Sequence, residues 1–200
     1  MKHLLLLLAW VSACSCFAQR PDTAARRIEH LPATGLLLAK GWRYHAGDNP
    51  AWARPDFDDS AWDTLNPARP RRELPPALNT GISWLRLRLR PGDSLCQHQL
   101  LLRSNQILEA CEIYLNGRLV QRLGVLQANP TRVQPVGSAH PDPIEVPGAT
   151  DLVLAVRYAP WHSPLAEMAD QQPFFQLFLL KGSQVRQAAA EQAASNLFFT

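Results

Sequence analysis

The chain has 200 residues, 46% of them hydrophobic and 18% charged, with a formal net charge of +3. That balance fits one folded domain with short appendages and excludes a disordered chain. The basic cluster Arg69, Arg71 and Arg72 is flanked by prolines and carries no interleaved aromatics, so no nucleic-acid partner is expected.

Lys2 and His3 precede an apolar run over residues 4–11 that is too short to span a bilayer. Residues 1–18 read as an export signal, with Ala18 before a cut ahead of Gln19. Val11-Ser12-Ala13-Cys14 also fits a bacterial lipobox, in which Cys14 is acylated and becomes the mature N-terminus. Both readings put the body of the protein outside the cytoplasm, in the periplasm or an equivalent extracytoplasmic space.

Residues 19–34 are polar and mixed, a loose lead-in. Residues 35–40 are apolar and can open a first strand. The span 41–62 then gathers Trp42, Tyr44, Trp52, Phe57 and Trp62 among turn formers and acids. Ordering such a span is costly unless its rings enter a core, so it reads as a wrapped loop of a β-domain. Trp42, Trp52, Trp62 and Trp84 are accordingly core candidates, with sugar stacking as the competing role. Asp56, Asp58 and Asp59 lie within this span. Acid–base work needs two carboxylates held apart across a substrate, whereas neighbouring turn acids bond backbone amides. These three read as structural, and they lack the dense alternation of a calcium loop.

Residues 66–79 are rich in Pro and Arg and read as a surface connection. Residues 82–90 are the clearest strand, because Leu85, Leu87 and Leu89 alternate with Arg86, Arg88 and Arg90. Period-two alternation puts the leucines inward and the arginines toward water. A turn at Pro91-Gly92-Asp93 leads to a strand over 99–104. Residues 110–124 predict a hairpin, with Asn116-Gly117 supplying the positive-φ positions of a type I′ turn. Short strands are expected at 144–146, 151–158 and 174–180. Cys96 and Cys111 remain after export and read as lying on successive strands; an oxidising compartment permits a disulfide between them, and two buried free thiols are the alternative.

His45, His98, His140 and His162 are scattered, and no Gly-x-Ser-x-Gly occurs, so a catalytic triad is not supported. Neither Cys96 nor Cys111 has a ligand partner at metal spacing, and no metal or cofactor is expected. Many short strands joined by Gly/Pro turns indicate a sandwich or jelly roll, and Trp161 and His162 follow the 151–158 strand in a polar loop at its end, where such folds carry ligands. They are the candidate ligand-binding residues. After Gly182 the composition shifts to Ala, Gln, Glu and Arg, with Ser183 placed to cap a helix that turns apolar at Leu197-Phe198-Phe199. The organisation expected is an export signal (1–18), a lead-in (19–34), a β-domain (35–181), and a connecting helix (182–200) that runs into the start of a membrane helix.

Several motifs share their order with a known pattern. Pro55-Asp56-Phe57-Asp58-Asp59-Ser60-Ala61-Trp62, then Gly81-Ile82-Ser83-Trp84-Leu85-Arg86, then residues 110–117 ending in Asn-Gly, then Val153-Leu154-Ala155-Val156-Arg157 resemble the galactose-binding-like jelly roll of family 2 glycoside hydrolases. The resemblance implies an all-β sandwich, a jelly roll, over most of the mature chain. Within that superfamily, residues 42–52 look more like the extracytoplasmic input domain of bacterial membrane sensors of the histidine-kinase or seven-helix receptor type. The implied function is a non-catalytic sensory domain, tethered to the membrane through its C-terminal continuation, that binds an unidentified small ligand such as a carbohydrate. A homodimer is left open. The alternatives are a carbohydrate-binding accessory domain of a secreted glycoside hydrolase, or a protein-interaction domain without a small ligand.

Overall fold

The computed structural model of the protein describes residues 25–105, 110–136, 141–148, 151–163, 171–187 and 190. The export signal, the Cys14 lipobox and the apolar stretch from Leu197 lie outside the described residues.

The described chain is an all-β sandwich. Its strands are β1 (Arg26–Ile28), β2 (Leu36–Leu37), β3 (Trp42–Ala46), β4 (Asp63–Leu65), β5 (Ser83–Pro91), β6 (Leu100–Asn105), β7 (Ala110–Leu115), β8 (Arg118–Leu123), β9 (Ile144–Val146), β10 (Leu152–Ala159) and β11 (Gln176–Lys181). A seven-stranded sheet runs in the order β4-β3-β5-β10-β7-β8, with β1 added to β5 in parallel. A four-stranded sheet runs β2-β11-β6-β9 and packs across it. Apart from β1, the named pairs are antiparallel.

Leucine alternation sets the inner face. Leu85, Leu87 and Leu89 of β5 are buried, and their partners on β10 are Val156, Leu154 and Leu152. One inner row crosses the large sheet as Tyr44, Leu85, Val156, Ile113 and Gln121. Leu100, Leu102, Leu177, Leu179, Ile144 and Val146 of the small sheet close the core from the other side. The β7–β8 turn has φ of 49° at Asn116 and 82° at Gly117, the pair of left-handed positions that a type I′ turn demands. The register shifts between Ile113 and Tyr114, which leaves Val120 as the extra residue of a bulge on β8.

Several expectations change. The lead-in contributes β1, and β4 follows the aromatic loop, both unforeseen. Cys96 does not sit on a strand; it ends a single helical turn, α1 (Asp93–Cys96). Cys96 and Cys111 are free. Cys111 shares the register of Tyr158 and Ser83 at one end of β5, and Cys96 lies beyond Pro91 at the other. The eight steps between Ser83 and Pro91 span about 26 Å of strand, far beyond the roughly 7 Å that a disulfide bridges. Burial pushes the Cys111 thiol up to about 12, so it stays protonated and inert.

Residues 182–187 are helical, starting one residue before the expected cap. Gln184, not Ser183, does the capping: its Oε1 accepts from the Lys181 N–H at 2.7 Å. Gln184 Nε2 also donates to the carbonyls of Pro32 and Ala33, each at 2.7 Å, tying the helix to the lead-in. No helix among the described residues is long and apolar enough to cross a membrane.

Candidate functional site

Where β5 was expected to meet water, it meets the aromatic loop. Arg86 is fully buried. Its Nε donates to Asp59 Oδ2 at 2.7 Å, and its other nitrogens donate to the carbonyls of Trp52 and Arg54. Arg88 donates to the carbonyls of Pro55 (3.0 Å) and Phe57 (2.7 Å), and Arg43 to that of Ser60 (2.8 Å). Three arginines thus hold the loop by its carbonyl oxygens. The physical reason the alternation misled is that the outer face has a second cover: the loop supplies acceptors and one carboxylate, so the guanidinium can leave water. Burial lowers the Arg86 pKa, and Asp59 opposes that shift.

The loop's rings form a second small core on this outer face. Trp62 and Trp84 are buried there with Ala53 and Ala155, and Trp52, Phe57 and Tyr114 pack against them. Trp52 meets Trp62 edge-on at 5.2 Å between ring centroids. The core reading of Trp62 and Trp84 therefore holds. Asp58 Oδ1 accepts from the Ser60 N–H at 3.0 Å, as a turn acid does, while Asp56 pairs with Arg54 and Asp59 with Arg86.

Beyond the loop, one outer row crosses five strands: His45, Trp84, Arg157, Glu112 and Arg122. Arg157 bridges two carboxylates, reaching Asp48 at 2.5 Å and Glu112 at 3.2 Å. The Arg157 bond, working against burial, holds Asp48 below its ordinary value. Burial would raise Glu112, yet hydrogen bonds from Tyr114, Arg157 and Arg122 keep it low. Burial and the Glu112 contact push the Tyr114 hydroxyl up to about 12. Both acids are thus kept ionised, the opposite of the raised pKa that a general acid needs. This row is a structural clamp. No group of three or more potential metal ligands is found among the described residues.

Trp161 is half-buried and packs on the small cluster of Ala110, Val133 and Ala159. His162 is exposed, and its N–H donates to the Pro130 carbonyl at 3.4 Å. The two sit together at the Tyr158 end of β10, as expected, but much of the indole serves to anchor its own loop.

The sequence reading missed a groove of about 980 Å³ between β8 and β9. These are the last strands of their sheets, and no described strand pairs with the free edge of either. Leu115, Ile144 and Val146 reach it from the core, and Arg118, Gln121 and Glu145 line it. The available signal was Gln121, a polar residue at an inward position of β8.

No family model and no curated protein matches the chain. Solved structures do. A β-glucuronidase from Bacteroides uniformis matches at TM-score 0.51 and 19% identity, over 73% of this chain and 17% of that one. A glycosyl hydrolase family 2 member from Bacteroides cellulosilyticus matches at TM-score 0.53 and 18% identity, over 74% of this chain and 20% of that one. The B. uniformis β-glucuronidase 2 bound to cyclophellitol-6-carboxylate aziridine matches at 0.50 and 19%, over 73% and 18%. The sandwich is a fold shared with these glycosidases. At such identities the likeness is one of fold alone. The chain spans about a fifth of the length of the glycosidases it matches.

Proposed function

We propose that this chain is a non-catalytic, carbohydrate-binding accessory domain of an exported protein. The observation that carries the reading is the sandwich shared with family 2 glycosidases over a fifth of their length. The ionised, arginine-clamped state of Asp48 and Glu112 agrees with a structural rather than an acid–base role for these carboxylates. The apolar run over residues 4–11 supports the export part of this reading. Trp161 and His162 at one end of the sandwich and the β8–β9 groove at its side are two surfaces, among the described residues, open to a sugar. Isothermal calorimetry against a panel of neutral and acidic sugars tests the reading. Millimolar or tighter binding supports it, and no binding across the panel overturns it.

A second reading, the sensory domain of a membrane signalling protein, is favoured by one specific contact set. The Gly182 N–H donates to the Gln99 carbonyl at 2.8 Å, and Arg186 Nη1 donates to Gln99 Oε1 at 3.2 Å. Gln99 Nε2 in turn donates to Glu145 Oε1 at 2.6 Å. The helix at 182–187 is therefore fastened to the rim of the groove, a route by which an occupant can bias the helix and a membrane segment beyond it. Apolar spans encoded after residue 200 would favour this reading, and a catalytic barrel there would favour the first.

A further inference from the structure

We propose that the ligand site of this domain is the groove between β8 and β9, and that its occupant is a neutral, hydroxyl-rich ring of the pyranose class. The proposal rests on the carbohydrate-binding reading above and assigns it a place.

The groove exists because the two sheets part at this side. The inner row that begins with Tyr44, Leu85, Val156 and Ile113 ends on β8 in an amide, Gln121. Gln121 Nε2 donates to the Asp142 carbonyl at 2.9 Å, which fixes the orientation of the amide. Its Oε1 is then left without a donor, and of the buried polar atoms so placed among the described residues it is the one on a residue that lines the groove. Buried acceptors are normally satisfied, and one left bare points to a missing partner. A ligand hydroxyl is such a donor.

The rest of the groove fits the same occupant. Leu115, Ile144 and Val146 give an aliphatic floor for the C–H face of a sugar ring. Arg118 donates from the β8 wall and Glu145 accepts on the β9 wall, a pairing suited to vicinal hydroxyls that both give and take hydrogen bonds. Two arginines, Arg118 and Arg122, and two carboxylates, Asp142 and Glu145, line the groove, so it carries no net preference for a charged ligand. Its volume of about 980 Å³ lies within the range of small-molecule clefts. An added peptide strand fits less well. The Val120 bulge breaks the register of β8, and Arg118 and Arg122 flank its edge, devices that guard strands against such pairing.

The test is calorimetry and amide-shift mapping of the whole chain with glucose, galactose, mannose, xylose and glucuronate at millimolar concentration. The expected result is binding of a neutral pyranose, with shifts concentrated on residues 118–122 and 144–146. Gln121→Leu and Glu145→Ala should each weaken it by about tenfold. Glu145 is exposed, so its variant tests the site without risk to folding. Trp161→Ala should leave affinity within about twofold. Binding that survives both groove variants and disappears in Trp161→Ala overturns the groove while keeping the carbohydrate reading. Tight binding of glucuronate alone overturns the neutral-ligand claim. No binding of any sugar by the unaltered chain overturns both.

Discussion

The two margins of the large sheet solve the same problem in opposite ways. At the β3–β5 margin, a loop folds back and turns the outer face into a second core, with Trp62 and Trp84 buried and Arg86 wrapped in carbonyls. At the β8 margin nothing folds back among the described residues, and the layers stay parted over the groove. At the first margin the guanidinium groups and the loop take up most of each other's hydrogen-bonding capacity, with Asp59 Oδ1 and Arg88 Nε left only an ion pair at 3.5 Å between them. The second leaves Gln121 Oε1 without a donor. Polar side chains that are satisfied internally build structure, and those left with spare capacity are where a ligand can be recognised.

The sharpest way to break the comparison is Asp59→Ala. Removing the carboxylate leaves Arg86 buried without its counter-charge, which costs about 3–5 kcal/mol of stability. Urea unfolding measures it. A loss near zero would show that the loop carbonyls alone hold Arg86, and the contrast between the margins would then rest on the rings. Next comes Trp62→Ala, which opens the outer core and should cost about 3 kcal/mol. Its effect should leave sugar affinity unchanged, because the groove lies at the opposite margin.

Acid titration sharpens the middle ground between the margins. Asp48 and Glu112 have folded pKa values below their unfolded ones. The stability they contribute is complete above the unfolded values, about 4, and is lost as pH falls through the folded ones. Urea midpoints should therefore be insensitive to this pair from neutrality down to about pH 5 and fall below about pH 4. Glu112→Gln should lower stability at neutral pH and flatten that acid limb. An unchanged limb would assign the acid sensitivity to other carboxylates.

The inner half of this structure was legible because it is local. Leu85, Leu87 and Leu89 declare their face by period, and Asn116-Gly117 declares its turn by backbone chemistry. The burial of Arg86 was not legible, because it depends on Asp59, 27 residues earlier, arriving over the same strand. An alternating arginine reads as solvated until something covers it. Cys96 and Cys111 misled for a related reason: neighbours in sequence order were separated by the full length of β5. The groove has no motif at all. It is a gap between the last strands of two sheets, and only their pairing order reveals it.

The smallest effect is also the most discriminating within the clamp. Glu112 accepts from Arg122 at 3.0 Å and from Arg157 at 3.2 Å, but Arg122 is 67% exposed and Arg157 only 24%. Water screens the first pair and competes with it, so Arg122→Ala should cost under about 1 kcal/mol. Arg157→Ala should cost more, since it strips both Asp48 and Glu112 of the guanidinium they share. Comparing the two variants by thermal unfolding at low and high salt separates them. The Arg122 loss should fade with salt, because an exposed pair lies open to counter-ions. The Arg157 loss should persist, because what it removes is a partner for groups already withdrawn from water. Equal, salt-sensitive losses would mean that the row is merely a surface chain of charges and that the second core ends at Trp84.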